Sequence, residues 1–150
     1  MKIEMILPES GVRAVAELHE DKAQKTCEAF LNALPHEGII THAKWCGDEV
    51  WTNLKASETL RNLPPENQTV LPQKGDLTFA FFGKNEIRSV KEDMYDFAIW
   101  YGIDTWIRVP TGTHPMSQFG TVIENLDELG TECAKTLTEG TKKILINRFN

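Results

Sequence analysis

The densest chemistry in the chain lies in one short stretch, His42-Ala43-Lys44-Trp45-Cys46-Gly47-Asp48-Glu49-Val50-Trp51. It places an imidazole, a carboxylate and two indoles around a Cys-Gly-Asp turn. On an extended backbone His42 and Lys44 point to one side while Thr41, Ala43 and Trp45 point to the other. Beyond the turn, Glu49, Trp51 and Asn53 share a face. If that face meets His42 across a hairpin, a histidine, an acid and an indole converge. His42 would then act as acid, base or donor, with Glu49 as its partner, because a neighbouring carboxylate moves a histidine's proton affinity. Trp51 would supply a stacking wall and Trp45 a second ligand contact. The same residues also have a structural reading. Both indoles could be core or cross-strand packing, with His42 and Glu49 on a solvated face.

Two further residues are candidates for the rim of such a site. Glu86 follows an apolar run that ends at Gly83, and His114 lies in a Gly-Thr-His-Pro loop. Each could equally be an ordinary loop residue. His19 and His36 read as surface residues flanking a helix. The four histidines show neither HxH nor HxxxH spacing, and there is no glycine-rich phosphate loop and no G-x-S-x-G elbow. No metal and no cofactor is therefore expected. The three cysteines are far apart in sequence: Cys27 and Cys133 fall on apolar helical stripes, and Cys46 sits in the turn with no adjacent histidine to activate it.

The elements that must hold these residues fit one domain, residues 1–150. The chain is 41% hydrophobic and 25% charged, an ordinary balance for a globular protein. Its net charge of −6, spread along the sequence, opposes binding to phosphate backbones or anionic membranes. The opening MKIEMILPES does not read as a signal peptide, so none is expected, and no apolar run approaches the roughly 20 residues of a membrane span. A cytoplasmic location is expected.

Alternating apolar residues predict strands at 2–7 and 12–18, joined by Pro8-Glu9-Ser10-Gly11. Asp21 and Gln24 resemble a capping pair for a helix with Ala23, Cys27, Phe30, Leu31 and Leu34 on its apolar stripe. Strands are expected over 39–45, 49–54, 77–82, 119–123 and 143–149, with one or two more within 95–109. Asn125 and Glu128 suggest a cap for a second helix ending at Gly140, and 55–75 reads as loop. The aromatic run 95–106 could be a pocket wall, a lid, a subunit interface or core. Many short strands with two helices point to a mainly β fold, a closed barrel capped by helices.

Order and motifs together resemble the cyclophilins. Asp21, Ala23, Lys25, Thr26, Glu28 and Phe30 look like their strand-to-helix entry. Residues 119–136 look like their late F-G-x-V strand with the helix after it, and Lys142–Phe149 looks like their last barrel strand. The resemblance is closer to a small bacterial and archaeal cyclophilin-like family of unknown function (DUF3830-like). It is carried by 20–28, the hairpin 42–51, the loop 63–67 and the strand 77–83. It implies an eight-stranded cyclophilin-like β-barrel, and it puts His114 near a groove histidine of the cyclophilins. The chain departs from true cyclophilins in lacking any arginine between Arg13 and Arg61, where their catalytic arginine falls. Lys44 is nearby, but it is a point charge and not a planar fork.

The leading expectation is thus a small polar metabolite bound or transformed at the barrel mouth, without cyclophilin-type prolyl isomerisation. A peptide-binding module with residual isomerase activity is the second reading. A non-catalytic subunit of a larger enzyme, docking through the aromatic run, is the third. A homodimer is compatible with any of them.

Overall fold

The computed structural model describes residues 1–150. Along the chain come β1 (Lys2–Leu7), β2 (Val12–Leu18), α1 (Gln24–Asn32), β3 (His36–His42), β4 (Gly47–Asn53), α2 (Glu58–Arg61) and β5 (Gln68–Thr69). They are followed by β6 (Asp76–Phe82), β7 (Met94–Thr105), β8 (Arg108–Val109), β9 (Gly112–Thr113), β10 (Met116–Glu124), α3 (Leu126–Glu139) and β11 (Lys142–Phe149). Eight strands pair in the order β2-β1-β11-β3-β4-β7-β6-β10, and β10 returns to β2, closing an antiparallel barrel. Closure leaves no long unpaired edge in the barrel. No helix is long and apolar enough to cross a membrane.

The barrel is filled from inside. Ile3, Met5 and Leu7 of β1, Phe97 and Ile99 of β7, Phe119 of β10, and Ile144 and Ile146 of β11 belong to one buried cluster of 27 residues. Phe30 of α1 plugs one end. Its ring centroid lies 4.9 Å from that of Phe97 and 5.0 Å from that of Phe119. The barrel interior is thus packed with side chains, and the candidate cavity described below lies on the outer wall.

Both capping pairs also differ from expectation. Asp21 does not cap α1, which starts after Ala23 with no side-chain cap. The cap comes from 40 residues away: the Glu66 carboxylate accepts from Thr26 N at 2.8 Å, Thr26 Oγ1 at 2.7 Å and Lys25 N at 3.2 Å. Asn125 adopts a left-handed conformation (φ 58°), and its side chain donates to the Arg13 carbonyl at 2.8 Å instead of capping α3. The 55–75 stretch holds the short helix α2, so the barrel carries three helices and not two.

His36 is no surface residue. It is buried, pairs with Thr52 Oγ1 at 3.0 Å, and burial lowers its pKa. His19, half-buried, lies 3.2 Å from both Gln118 Oε1 and Thr121 Oγ1.

The long strand β7 pairs with β4 on one side and β6 on the other. Its inward residues Tyr95, Phe97, Ile99 and Tyr101 join the main core. Its outward residues Ala98 and Trp100 join a second, smaller cluster with Cys46, Ile107 and Met116. That second cluster lies on the outer wall. It exists because segments 83–93 and 106–115 fold back over β4, β6 and β7.

A candidate site on the outer wall of the barrel

The folded-back segments border a partly open cavity of about 420 Å³. Its floor is the outer face of β4 and β7, with Glu49, Trp51, Asn53 and Asp96. The turn residues Ala43–Cys46 form one side. Ile87, Ser89 and Val90 form another, and Ile107, Arg108 and Val109 close it.

The hairpin register decides which of the expected residues meet. His42 pairs with Val50, and Thr41 with Trp51. Val50 points into the barrel, so His42 shares its side, opposite Glu49 and Trp51. The imidazole is already engaged there: Nε2 lies 2.7 Å from Tyr101 Oη and Nδ1 lies 2.9 Å from the Ala43 carbonyl oxygen. The convergence of His42 with Glu49 therefore does not form, because side chains on adjacent strands share a face only when directly opposite or two positions apart. His42 still borders the cavity. Trp45 and Trp51 also line it, Trp45 being 37% exposed at the rim. Gly47 makes the turn possible: its φ is +82°, and a Cβ there would overlap the Asp104 carbonyl oxygen.

Glu86 and His114 do not line the cavity. Glu86 Oε2 accepts from Gly83 N at 2.7 Å and closes its own turn. His114 stacks behind the lining residue Phe82, with ring centroids 4.9 Å apart. The aromatic run 95–106 is mostly packing: Tyr95, Phe97, Trp100 and Tyr101 are buried, and only Trp106 among its aromatic residues is exposed. A docking surface made of the whole run is thus not available. Cys46 is buried as well, which together with the Glu49 charge pushes its thiol up to about 12. It ties the turn to the segment after β7: Sγ donates to the Arg108 carbonyl at 3.2 Å and accepts from Arg108 N at 3.5 Å.

Asp96 and Arg108 are the residues that sequence reasoning missed. Asp96 lies on the outer face of β7, opposite Asn53, while Glu49 lies opposite Trp100. The two carboxyls thus flank the rung formed by Trp51 and Ala98. Both are buried, at 3% exposure for Glu49 and 7% for Asp96. Burial raises both pKa values, to about 7 for Asp96, and the Asp96 charge adds to the rise at Glu49. Glu132, another largely buried acid, shows the usual alternative. Lys135 at 2.5 Å and Lys142 at 3.6 Å pair with it, and its pKa is lowered, first by the Lys135 hydrogen bond. No such cation serves Glu49 or Asp96. The signal in the sequence was a single acid inside the apolar run Met94-Tyr95-Asp96-Phe97-Ala98-Ile99.

The fold places the protein among the cyclophilin-like barrels. The chain belongs to the DUF3830 family, a protein family of unknown function whose model matches residues 5–147. No curated protein matches the sequence. Among solved structures, McbB in complex with tryptophan is similar with a TM-score of 0.73 and 18% identity. That likeness covers 97% of this chain but 44% of McbB, so the chain spans under half of that protein's length. A hypothetical protein of Archaeoglobus fulgidus is similar at a TM-score of 0.62 and 18% identity, over 99% of this chain and 95% of that one. A cyclophilin-type peptidyl-prolyl cis-trans isomerase of Cryptosporidium parvum, crystallised with the dipeptide Ala-Pro, follows at 0.56 and 15%, over 100% and 99%. At these identities the likeness establishes the fold alone.

Proposed function

We propose that the outer-wall cavity binds, and acts on, a compact polar metabolite, with Glu49 as the proton-handling group and Asp96 as its partner. Trp51 and Trp45 supply apolar contact. His42 holds the hairpin through Tyr101 and contributes to the cavity from behind it. The observation that carries this reading is a pair of buried carboxyls without a cation, on the floor of a partly open cavity. Burial without a cation raises the pKa of both acids, to about 7 for Asp96, and a raised carboxyl pKa is what a general acid or base working near neutrality needs. The volume fits a small-molecule pocket. McbB, of which the likeness to this chain covers 44%, is itself solved in complex with tryptophan, a small molecule.

Cyclophilin-type isomerisation is not part of this reading. The arginine expected after α1 is missing, and Arg108 reaches the cavity from a different segment. The test is thermal stabilisation of the wild type and Glu49→Gln against small acids, amines, amides and proline dipeptides. A ligand at 100 times its Kd should raise the melting temperature by roughly 5–10 °C. Stabilisation by a small molecule that disappears in Glu49→Gln supports the proposal. Turnover of a proline peptide, or a ligand indifferent to Glu49, contradicts it.

A further inference from the structure

Three buried side-chain polar atoms in the protein have no hydrogen-bond partner: Asp96 Oδ1, Arg108 Nε and His114 Nδ1. His114 lies outside the cavity, behind Phe82. The other two belong to cavity-lining residues, and they are opposite in kind. One is an acceptor on an acid and the other a donor on a permanent cation. Leaving either buried without a partner is unfavourable, and the penalty is larger for charged groups.

They do not satisfy each other. Asp96 and Arg108 form no ion pair, and burial alone accounts for the raised Asp96 pKa, with no lowering by a nearby cation. Arg108 is nevertheless held in place. Its guanidinium carbon sits 4.7 Å from the centroid of the Trp106 ring, and its backbone is tied on both sides to Cys46 Sγ. The cavity thus presents a fixed donor and a fixed acceptor at separate positions, with the apolar surfaces of Trp51 and Ile107 also in its lining.

We infer that the cavity takes a compact zwitterion, an amino-acid-like molecule whose anionic head pairs with Arg108, whose protonated amine pairs with Asp96, and whose apolar body lies on Trp51. The inference deepens the reading of the cavity as a ligand site and rests on it. A ligand with one charged head would satisfy one buried atom and leave the other exposed to the same penalty. Arg108 is suited to a carboxylate because its planar fork can bond both oxygens. Binding of an ammonium beside Asp96 also favours the ionised carboxyl, so the complex forms with release of a proton when the free site is protonated.

The experiment is calorimetric titration of the full chain with two matched sets. One is phenylalanine, phenethylamine and 3-phenylpropionate. The other is tryptophan, tryptamine and indole-3-propionate. In at least one set the amino acid should bind at least roughly tenfold tighter than either one-headed analogue, since each added charged hydrogen bond is worth about that much. Repeating the titration at pH 6 in buffers of different ionisation enthalpy should reveal proton release. Arg108→Lys should abolish the preference over the amine while leaving the amine's affinity unchanged. Asp96→Asn should abolish the preference over the acid and the proton release together. An amine or acid that binds as well as its amino acid overturns the inference, as does a preference unchanged in Arg108→Lys. If neither set binds but another small molecule stabilises the wild type through Glu49, the zwitterion falls and the ligand site stands. If nothing stabilises the wild type, both fall.

Discussion

The two faces of β7 have opposite characters. Inward, Phe97 and Ile99 are wholly buried among aromatic and aliphatic neighbours. Outward, two positions along the same strand have contrasting fates. Trp100 is satisfied, its Nε1 donating to Thr78 Oγ1 at 2.9 Å, whereas Asp96 keeps an unpartnered oxygen. A core can tolerate few such atoms because each lowers stability. The one retained at Asp96 lies beside the cavity, and on the proposal above a ligand completes it. The inner face thus holds the fold, and the outer face is where we propose that a ligand binds.

The largest expected effect lies on the inner face. Phe97→Ala should destabilise the chain by about 3–5 kcal/mol, as for other large-to-small changes in a packed core. Chemical denaturation measures it. The change should leave the preference among bound ligands intact, and a switch in that preference would dissolve the division between the two faces.

The next effect is on the outer face and depends on pH. Asp96 has a folded pKa of about 7, above its ordinary value of 3.8. Its contribution to stability is therefore fully present below pH 3.8 and is lost as the pH rises toward 7. In that window the loss amounts to about 1.4 kcal/mol for each pH unit at most. His36 acts in the reverse direction, because its lowered pKa means that stability is gained as the pH rises toward 6.5. The useful quantity is thus the difference between variants. The melting temperature of Asp96→Asn should rise relative to wild type from pH 4 to pH 7, as measured by calorimetry. A constant difference would mean that Asp96 ionises as an exposed acid does.

Glu66 gives a smaller effect, away from both faces. Glu66→Ala removes the acceptor for three donors at the start of α1 and should cost about 1–2 kcal/mol, with no change in ligand binding. Glu86→Gln should change stability by under about 0.5 kcal/mol and leave binding unaltered, since its carboxyl closes a local turn.

Alternation in β1 and β2, the stripe of α1 and the order of elements make the barrel legible in the sequence. The site was legible only in part. Residue types marked the hairpin, and Glu49, Trp45 and Trp51 do line the cavity. The pairing of His42 with Glu49 was not readable, because it turns on a register of one residue. Asp96 and Arg108 were hidden for another reason. They come from strands and loops far apart in sequence, and only the folding-back of 83–93 and 106–115 creates the surface they share. The remote cap by Glu66 escaped for the same reason: local patterns at Asp21 and Asn125 looked sufficient.

The most direct test of the contrast between the faces is a carbon-13 titration of the carboxyl groups of Glu49 and Asp96 by NMR. The account predicts that at pH 6 at least one of the two remains protonated, far above the ordinary carboxylate range near 4. If both lose their protons below about pH 5, the outer wall holds two ordinary acids and its claim to be the functional face fails.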